Sequence, residues 1–294
     1  NCGDNPATCK GGSIRCVDVR SWCMNAFSTL PLDPQLLSAL SALDYNEMTP
    51  VQALSLPPML DQKDVIAQAP TGSGKTAAFG LGIIARLDPS LAVVQALVLC
   101  PTRELADQVS KEIRRLASFV PNVKLLTLCG GIPLRPQLAS LVHPPHVVVG
   151  TPGRIQELIE QGALSLDDIR VFVLDEVDRM LDMGFQEAIT SLLKQSPTSR
   201  QTLLFSATIP DEIRKLSRSL QCDPVEVATA DGAGLPGIEQ QFHEVDGTRR
   251  FDALLRVLTT HRPESTLIFC NTRRDTQDLA DGLAQRGFSA LALH

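Results

Sequence analysis

From Asp64 to Phe205 the apolar residues gather into short runs: Asp64 to Gln68, Ala96 to Cys100, Val123 to Leu128, His146 to Val149, Val171 to Leu174 and Gln201 to Phe205. Runs of this length, bounded by turn signals, are what strands buried on both faces look like. Helix-like stretches separate them, so the pattern predicts a parallel sheet covered by helices on both sides. Each run ends in a polar, conformationally special signature: Pro101 to Ala106, Cys129 to Gly131, Gly150 to Arg154, and Ser206 to Thr208. Ligands of open parallel sheets sit outside the carboxyl ends of the strands. All these signatures are therefore expected along one edge.

Upstream, Pro34 to Leu43 has apolar residues at helical spacing, and Met48 to Gln52 introduces a second short helix with Thr49 as N-cap and Pro50 at its first position. Downstream, a Gly/Ala/Pro-containing stretch over 229–238 reads as a linker. Beyond it the pattern predicts a strand over Gln240 to Val245, a helix over Arg250 to Thr260, a strand over Ser265 to Cys270 and a helix over Arg273 to Arg286. The expected organisation is a first domain over 24–228, the linker, and part of a second domain over 239–294. Cys2, Cys9, Cys16 and Cys23 recur every seven residues but lack the close ligand pairs of a zinc site. Met24 looks like a natural start, so residues 1–23 read as a leader or non-native extension.

Composition narrows the class. With 294 residues, 44% hydrophobic and 20% charged, the chain is ordinary for a globular protein, and its net charge of -6 argues against coating nucleic acid through bulk positive charge. A local basic groove stays open. Arg86 and Asp88 break the longest apolar stretch well short of the roughly 20 residues of a membrane-spanning helix, and there is no secretory signal pattern. Cys100, Cys129, Cys222 and Cys270 lie in or beside apolar runs and read as reduced thiols. A soluble, cytoplasmic protein is expected, with no membrane partner and no obvious protein partner.

The chemistry concentrates at two strand ends. Ala69-Pro-Thr71-Gly72-Ser73-Gly74-Lys75-Thr76 lies between an apolar strand and a helix. A glycine-permitted turn feeding a helix N-terminus aims backbone N–H groups at a polyphosphate. Lys75 would reach the β/γ-phosphates and the Thr76 hydroxyl would ligate Mg²⁺; the pattern's first glycine is Ala69 here. The second end is Asp175, Glu176 and Asp178, where one carboxylate can hold hydrated Mg²⁺ and the next polarise a water for attack on the γ-phosphate. Together they describe an ATP- or GTP-hydrolysing core. The Gln52 carboxamide matches the N6 and N7 pattern of adenine, and Tyr45 and Phe27 have rings that can flank a base.

In order and approximate spacing, Tyr45 to Gln52, Ala69 to Thr76, Pro101 to Ala106, Gly130-Gly131, Thr151 to Arg154, Asp175 to Asp178, Ser206 to Thr208 and Leu267 to Thr272 resemble the motifs of DEAD-box RNA helicases. The resemblance spans about Met24 to His294 and is greatest to the bacterial DbpA type. It implies a RecA-like doubly wound parallel sheet of the P-loop NTPase kind with an incomplete second RecA-like domain. It also implies ATP and Mg²⁺ as cofactors and RNA, ribosomal RNA in particular, as partner. Tyr45 and Gln52 would recognise adenine, Lys75 and Thr76 bind phosphates and magnesium, Asp175 place the metal and Glu176 the attacking water. Ser206 and Thr208 would bond Asp178 and couple nucleotide to RNA, while Thr102, Arg103, Gly131, Thr151 and Arg154 would touch the RNA backbone. The expected function is ATP-dependent local unwinding of RNA, in ribosome assembly. The alternative is a catalytically incomplete ATP- and RNA-binding fragment, because the arginines that complete the site across the cleft would lie in the remainder of the second domain. Two departures from the family stand out. Val177 replaces an alanine, with a mild packing effect expected, and Asp44 replaces a glycine where the turn asks for an unusual backbone.

Overall fold

The computed structural model describes residues 26–229 and 241–293. The expectations for residues 1–23 and their cysteines, and for nearly all of the linker, fall outside the described residues. Two compact units divide the chain, residues 1–235 and 236–294.

The first unit holds β1 (Val65–Gln68), β2 (Ala96–Leu99), β3 (Leu125–Leu128), β4 (Val147–Gly150), β5 (Val171–Asp175), β6 (Gln201–Ser206) and β7 (Val225–Ala228). Every pairing is parallel and the order is β3-β4-β2-β5-β6-β1-β7. Among the described residues nine α-helices accompany it: α1 (Pro34–Ala42), α2 (Pro50–Leu60), α3 (Lys75–Ile84), α4 (Arg103–Ala117), α5 (Leu134–Leu141), α6 (Pro152–Glu160), α7 (Val177–Asp182), α8 (Gln186–Lys194) and α9 (Asp211–Leu220).

The continuous apolar runs are explained by what lies on each face. Side chains alternate across a strand, and Val65, Ala67, Val98, Val149, Val173 and Phe205 enter one core with α1 to α4. Their neighbours Ile66, Leu97, Leu99, Phe172, Leu174 and Leu204 enter a second core with α5 to α9. Burying a side chain of this size contributes roughly 1.5–3 kcal/mol, so neither face tolerates a polar residue cheaply. Val177 is fully buried in the second core. At the N-terminal edge Asp64 ties three strands: its two oxygens accept the N–H groups of Thr202 at 2.6 Å and Cys222 at 2.7 Å, joining β1, the start of β6 and the approach to β7.

The strand β7 is absent from the sequence reading. Its alternation of Val225, Glu226, Val227 and Ala228 suits an outer strand, paired among the described residues with β1 alone, and carries no long apolar run.

In the second unit α10 (Arg250–His261) and α11 (Arg273–Gln285) form as expected. The two expected strands do not. Residues 241–245 and 265–270 take no strand assignment, and there is no strand among the described residues of this unit. A parallel strand exists only by backbone pairing with a neighbour. Instead, the runs 265–270 and 288–291 line an open cleft of about 930 Å³ together with Leu258, Leu279 and Leu283. Leu267 and Phe269 remain 71% and 88% exposed. Among the described residues no helix is long and apolar enough to cross a membrane.

Candidate functional site

Strand order brings the expected signatures to one edge. β5, β6 and β1 are neighbours, with Asp175 in register with Phe205 and Gln68 in register with Ser206. The glycine-rich loop therefore starts beside the end of β6, where the Ala69 N–H donates to Ser206 O at 3.0 Å, and the acidic tip of β5 lies one strand further on.

The loop has the backbone that its glycines permit. Gly72 and Gly74 take φ of 80° and 95°, and a Cβ on Gly74 would meet Gln52 Nε2 at 2.6 Å. Thr71 and Gly72 are exposed, whereas Ser73 Oγ is buried with no hydrogen-bond partner. Lys75 opens α3, is 7% exposed, and donates from Nζ to Ala69 O at 2.8 Å, closing the base of the loop. An ammonium has three donors, so two remain for an anion. An orphaned hydroxyl, a buried cation and a helix N-terminus fit a polyphosphate, and Thr76 with Asp175 is a hard-oxygen set suited to Mg²⁺.

Burial of Asp175, opposed by the Lys75 charge beside it, pushes its carboxyl up to about 7. Glu176 sits in the left-handed region at φ 52° as the N-cap of α7 and is 7% exposed. Its Oε2 accepts a hydrogen bond from Arg179 Nη1 at 2.7 Å, a contact absent from the sequence reading although the two lie one helical turn apart. Ser206 Oγ accepts the Asp178 N–H at 3.2 Å, and Thr208 donates its N–H and hydroxyl to Asp178 Oδ2 at 3.1 and 2.9 Å. Burial pushes Asp178 up, but these hydrogen bonds outweigh it and hold the carboxyl below its ordinary value.

Gln52 is 2% exposed and both ends of its carboxamide touch backbone: Oε1 accepts the Thr49 N–H at 2.9 Å and Nε2 donates to Gly74 O at 3.1 Å. The first contact is the returning half of a capping box, legible in Thr49-x-x-Gln52 but read there as base recognition alone. The second ties α2 to the phosphate loop. One N–H and one lone pair of the amide remain for a base. Tyr45 donates its hydroxyl to Glu112 Oε1, with the Arg115 guanidinium 5.7 Å from its ring centroid and Phe27 edge-on at 6.4 Å. Asp44, just before it, takes φ 62°, the left-handed turn that the sequence anticipates.

The other half of the same edge, at β2, β4 and β3, carries the remaining candidates. Thr102 caps α4 by accepting the Leu105 N–H at 3.2 Å, and Arg103 is half exposed beside Glu104. Gly131 takes φ 74° in open space. Thr151 Oγ1 accepts the Gly130 N–H at 3.3 Å. Arg154, expected to contact the RNA backbone, is 9% exposed, donates from Nη2 to Ile132 O at 3.0 Å and pairs with Glu157, which ties it to the 130–132 loop. Its Nη1 makes no hydrogen bond.

Comparison with known proteins agrees with this arrangement. Residues 49–216 match the family model described as DEAD/DEAH box helicase. The chain is 53% identical over 272 residues to the ATP-dependent RNA helicase DbpA of Escherichia coli, covering 92% of this chain and 60% of that protein. It is 43% identical to the DEAD-box ATP-dependent RNA helicase CshA of Geobacillus kaustophilus, covering 92% and 58%. The chain thus spans about three fifths of the length of these curated relatives. Among solved structures it is similar to a DEAD box protein from Methanococcus jannaschii, with a TM-score of 0.68 and 36% identity over 91% of this chain and 73% of that one.

Proposed function

The chain belongs to the DEAD/DEAH box helicase family, and from that premise we propose that it binds ATP and RNA on one sheet edge and couples the two in local unwinding of RNA. The observation that carries this is the link across that edge. The loop after β1 bonds the end of β6, and the loop after β6 bonds Asp178 three residues past the end of β5. In this reading Lys75 and the loop N–H groups hold the phosphates, Gln52 and Tyr45 the adenine, and Thr76 and Asp175 the magnesium, Asp175 partly through water. Magnesium, when bound, neutralises charge on the phosphate oxygens. Glu176 accepts the proton of the attacking water, and Asp178, Ser206 and Thr208 transmit the state of the site. Thr102, Arg103, Gly131, Thr151 and Arg154 offer N–H and side-chain donors to RNA phosphates, which read no sequence, Arg154 from its Nη1 while its Nη2 holds Ile132 O. We place the work in the cytoplasm on ribosomal RNA, consistent with free thiols at Cys100, Cys129, Cys222 and Cys270 and the identity to DbpA.

A second reading, an ATP- and RNA-binding unit without turnover, is favoured by the second unit, in which no strand forms among the described residues. Phosphate release from ATP with and without ribosomal RNA separates the two, with Lys75→Ala as background. Stimulated release supports the helicase reading; ATP binding without release supports the second.

A further inference from the structure

The phenol of Tyr45 is gripped by residues that neither the motifs nor the phosphate site uses. It donates its hydroxyl to Glu112 Oε1 on α4, 67 residues away in sequence. Arg115, one turn further along the same helix, lies over the ring at 5.7 Å from its centroid, and its Nη2 donates to Leu43 O at 3.0 Å. Backbone and side chain of the 43–45 turn are thus both held by one helix face. The turn itself is strained by Asp44 at φ 62°, a conformation that a non-glycine residue keeps only when its surroundings hold it. Phe27 meets the same ring edge-on and is 4% exposed. A phenol anchored at its hydroxyl, with a guanidinium over one face, has a fixed ring plane.

We infer that Glu112 and Arg115 are positioning residues for the base of a bound nucleotide, acting through Tyr45 by fixing the plane on which the base rests. This rests on the reading of Tyr45 and Gln52 as the adenine side of the site. Glu112 and Arg115 touch neither the glycine-rich loop nor Lys75 in any hydrogen bond or ion pair of the structure, so the inference predicts a loss at the base with the phosphates left alone. The same α4 begins at Thr102 and Arg103, so one rigid helix supports the base-side turn at one end and the RNA strip at the other.

The test compares two probes on the whole chain by titration calorimetry with magnesium: ATP, which has a base, and inorganic tripolyphosphate, which has none. Glu112→Ala is expected to weaken ATP about five- to tenfold, the span of one charge-assisted hydrogen bond partly transmitted, while tripolyphosphate changes less than twofold. Glu112→Gln, which still accepts the phenol proton, is expected to bind ATP within about twofold of wild type. Unchanged ATP affinity in Glu112→Ala overturns the inference, and so does a parallel loss for both probes, the mark of general damage. Lack of ATP binding by the unmutated chain overturns the nucleotide reading itself and this inference with it.

Discussion

Thr208 gives two hydrogen bonds to a single oxygen, Asp178 Oδ2, from its N–H at 3.1 Å and its hydroxyl at 2.9 Å. With Ser206 Oγ taking the Asp178 N–H, the loop after β6 cannot shift without disturbing the first turn of α7, directly behind Asp175 and Glu176. Thr208→Val removes the hydroxyl at nearly constant shape and leaves the N–H bond. It is expected to bind ATP within about twofold of wild type and to lose most of the gain in RNA affinity that an ATP analogue produces, about 1–2 kcal/mol of coupling. RNA binding by fluorescence anisotropy, with and without the analogue, checks this; an undiminished gain would place the coupling elsewhere.

Lys75 and Glu176 should separate binding from chemistry. Lys75 is the buried cation of the loop, so Lys75→Ala should abolish ATP binding in titration calorimetry. Glu176→Gln keeps size and hydrogen bonding but cannot take a proton. It should bind ATP normally and lower phosphate release about 10²- to 10⁴-fold. Normal ATP affinity in the first variant, or unchanged release in the second, contradicts the assigned role.

How much of this was legible in sequence follows from what each signal measures. Both faces of the sheet are buried, so β1 to β6 appear as apolar runs and their order with the intervening helices gives the fold class. β7 at the outside of the sheet has half the burial and half the signal. Ser265 to Cys270 has the composition of a strand, but pairing depends on a neighbour, which no local pattern encodes. At the site, the local geometry of Gly72, Gly74, Asp175 and Glu176 is written in consecutive residues. Glu112 on Tyr45 and Arg154 on Ile132 are long-range contacts from ordinary helix residues to loop residues, invisible until the chain is folded. Gln52 was half legible: its capping role stands in the local spacing, its bond to Gly74 does not.

Asp64 carries a stability prediction at the opposite edge. Its carboxylate satisfies two backbone N–H groups, and burial, the dominant influence, raises its proton affinity despite them. Asp64→Ala strands both donors in a site 8% exposed and is expected to cost about 2–4 kcal/mol. Urea unfolding followed by circular dichroism measures it; a loss under about 0.5 kcal/mol, the range of an ordinary surface substitution, would mean that the three strands do not depend on this carboxylate.

Tyr45 offers a spectroscopic check on the α4 contact that needs no nucleotide. It is the single tyrosine of the chain, so the near-ultraviolet tyrosinate band reports its ionisation alone. Burial, then the hydrogen bond to Glu112 and the Glu112 charge, push the phenol up to about 12, with Arg115 pulling the other way. A folded value above the unfolded one means that the protonated phenol is the form that folding favours. Its contribution to stability is complete below the unfolded value of about 10 and is lost as pH rises through about 12. At a pH of about 11 wild type should therefore show little tyrosinate while Glu112→Ala shows much more, because burial alone is left to oppose ionisation. Circular dichroism on the same samples identifies ionisation that merely follows unfolding. Equal tyrosinate in the two folded proteins would mean that Glu112 does not hold the phenol in solution.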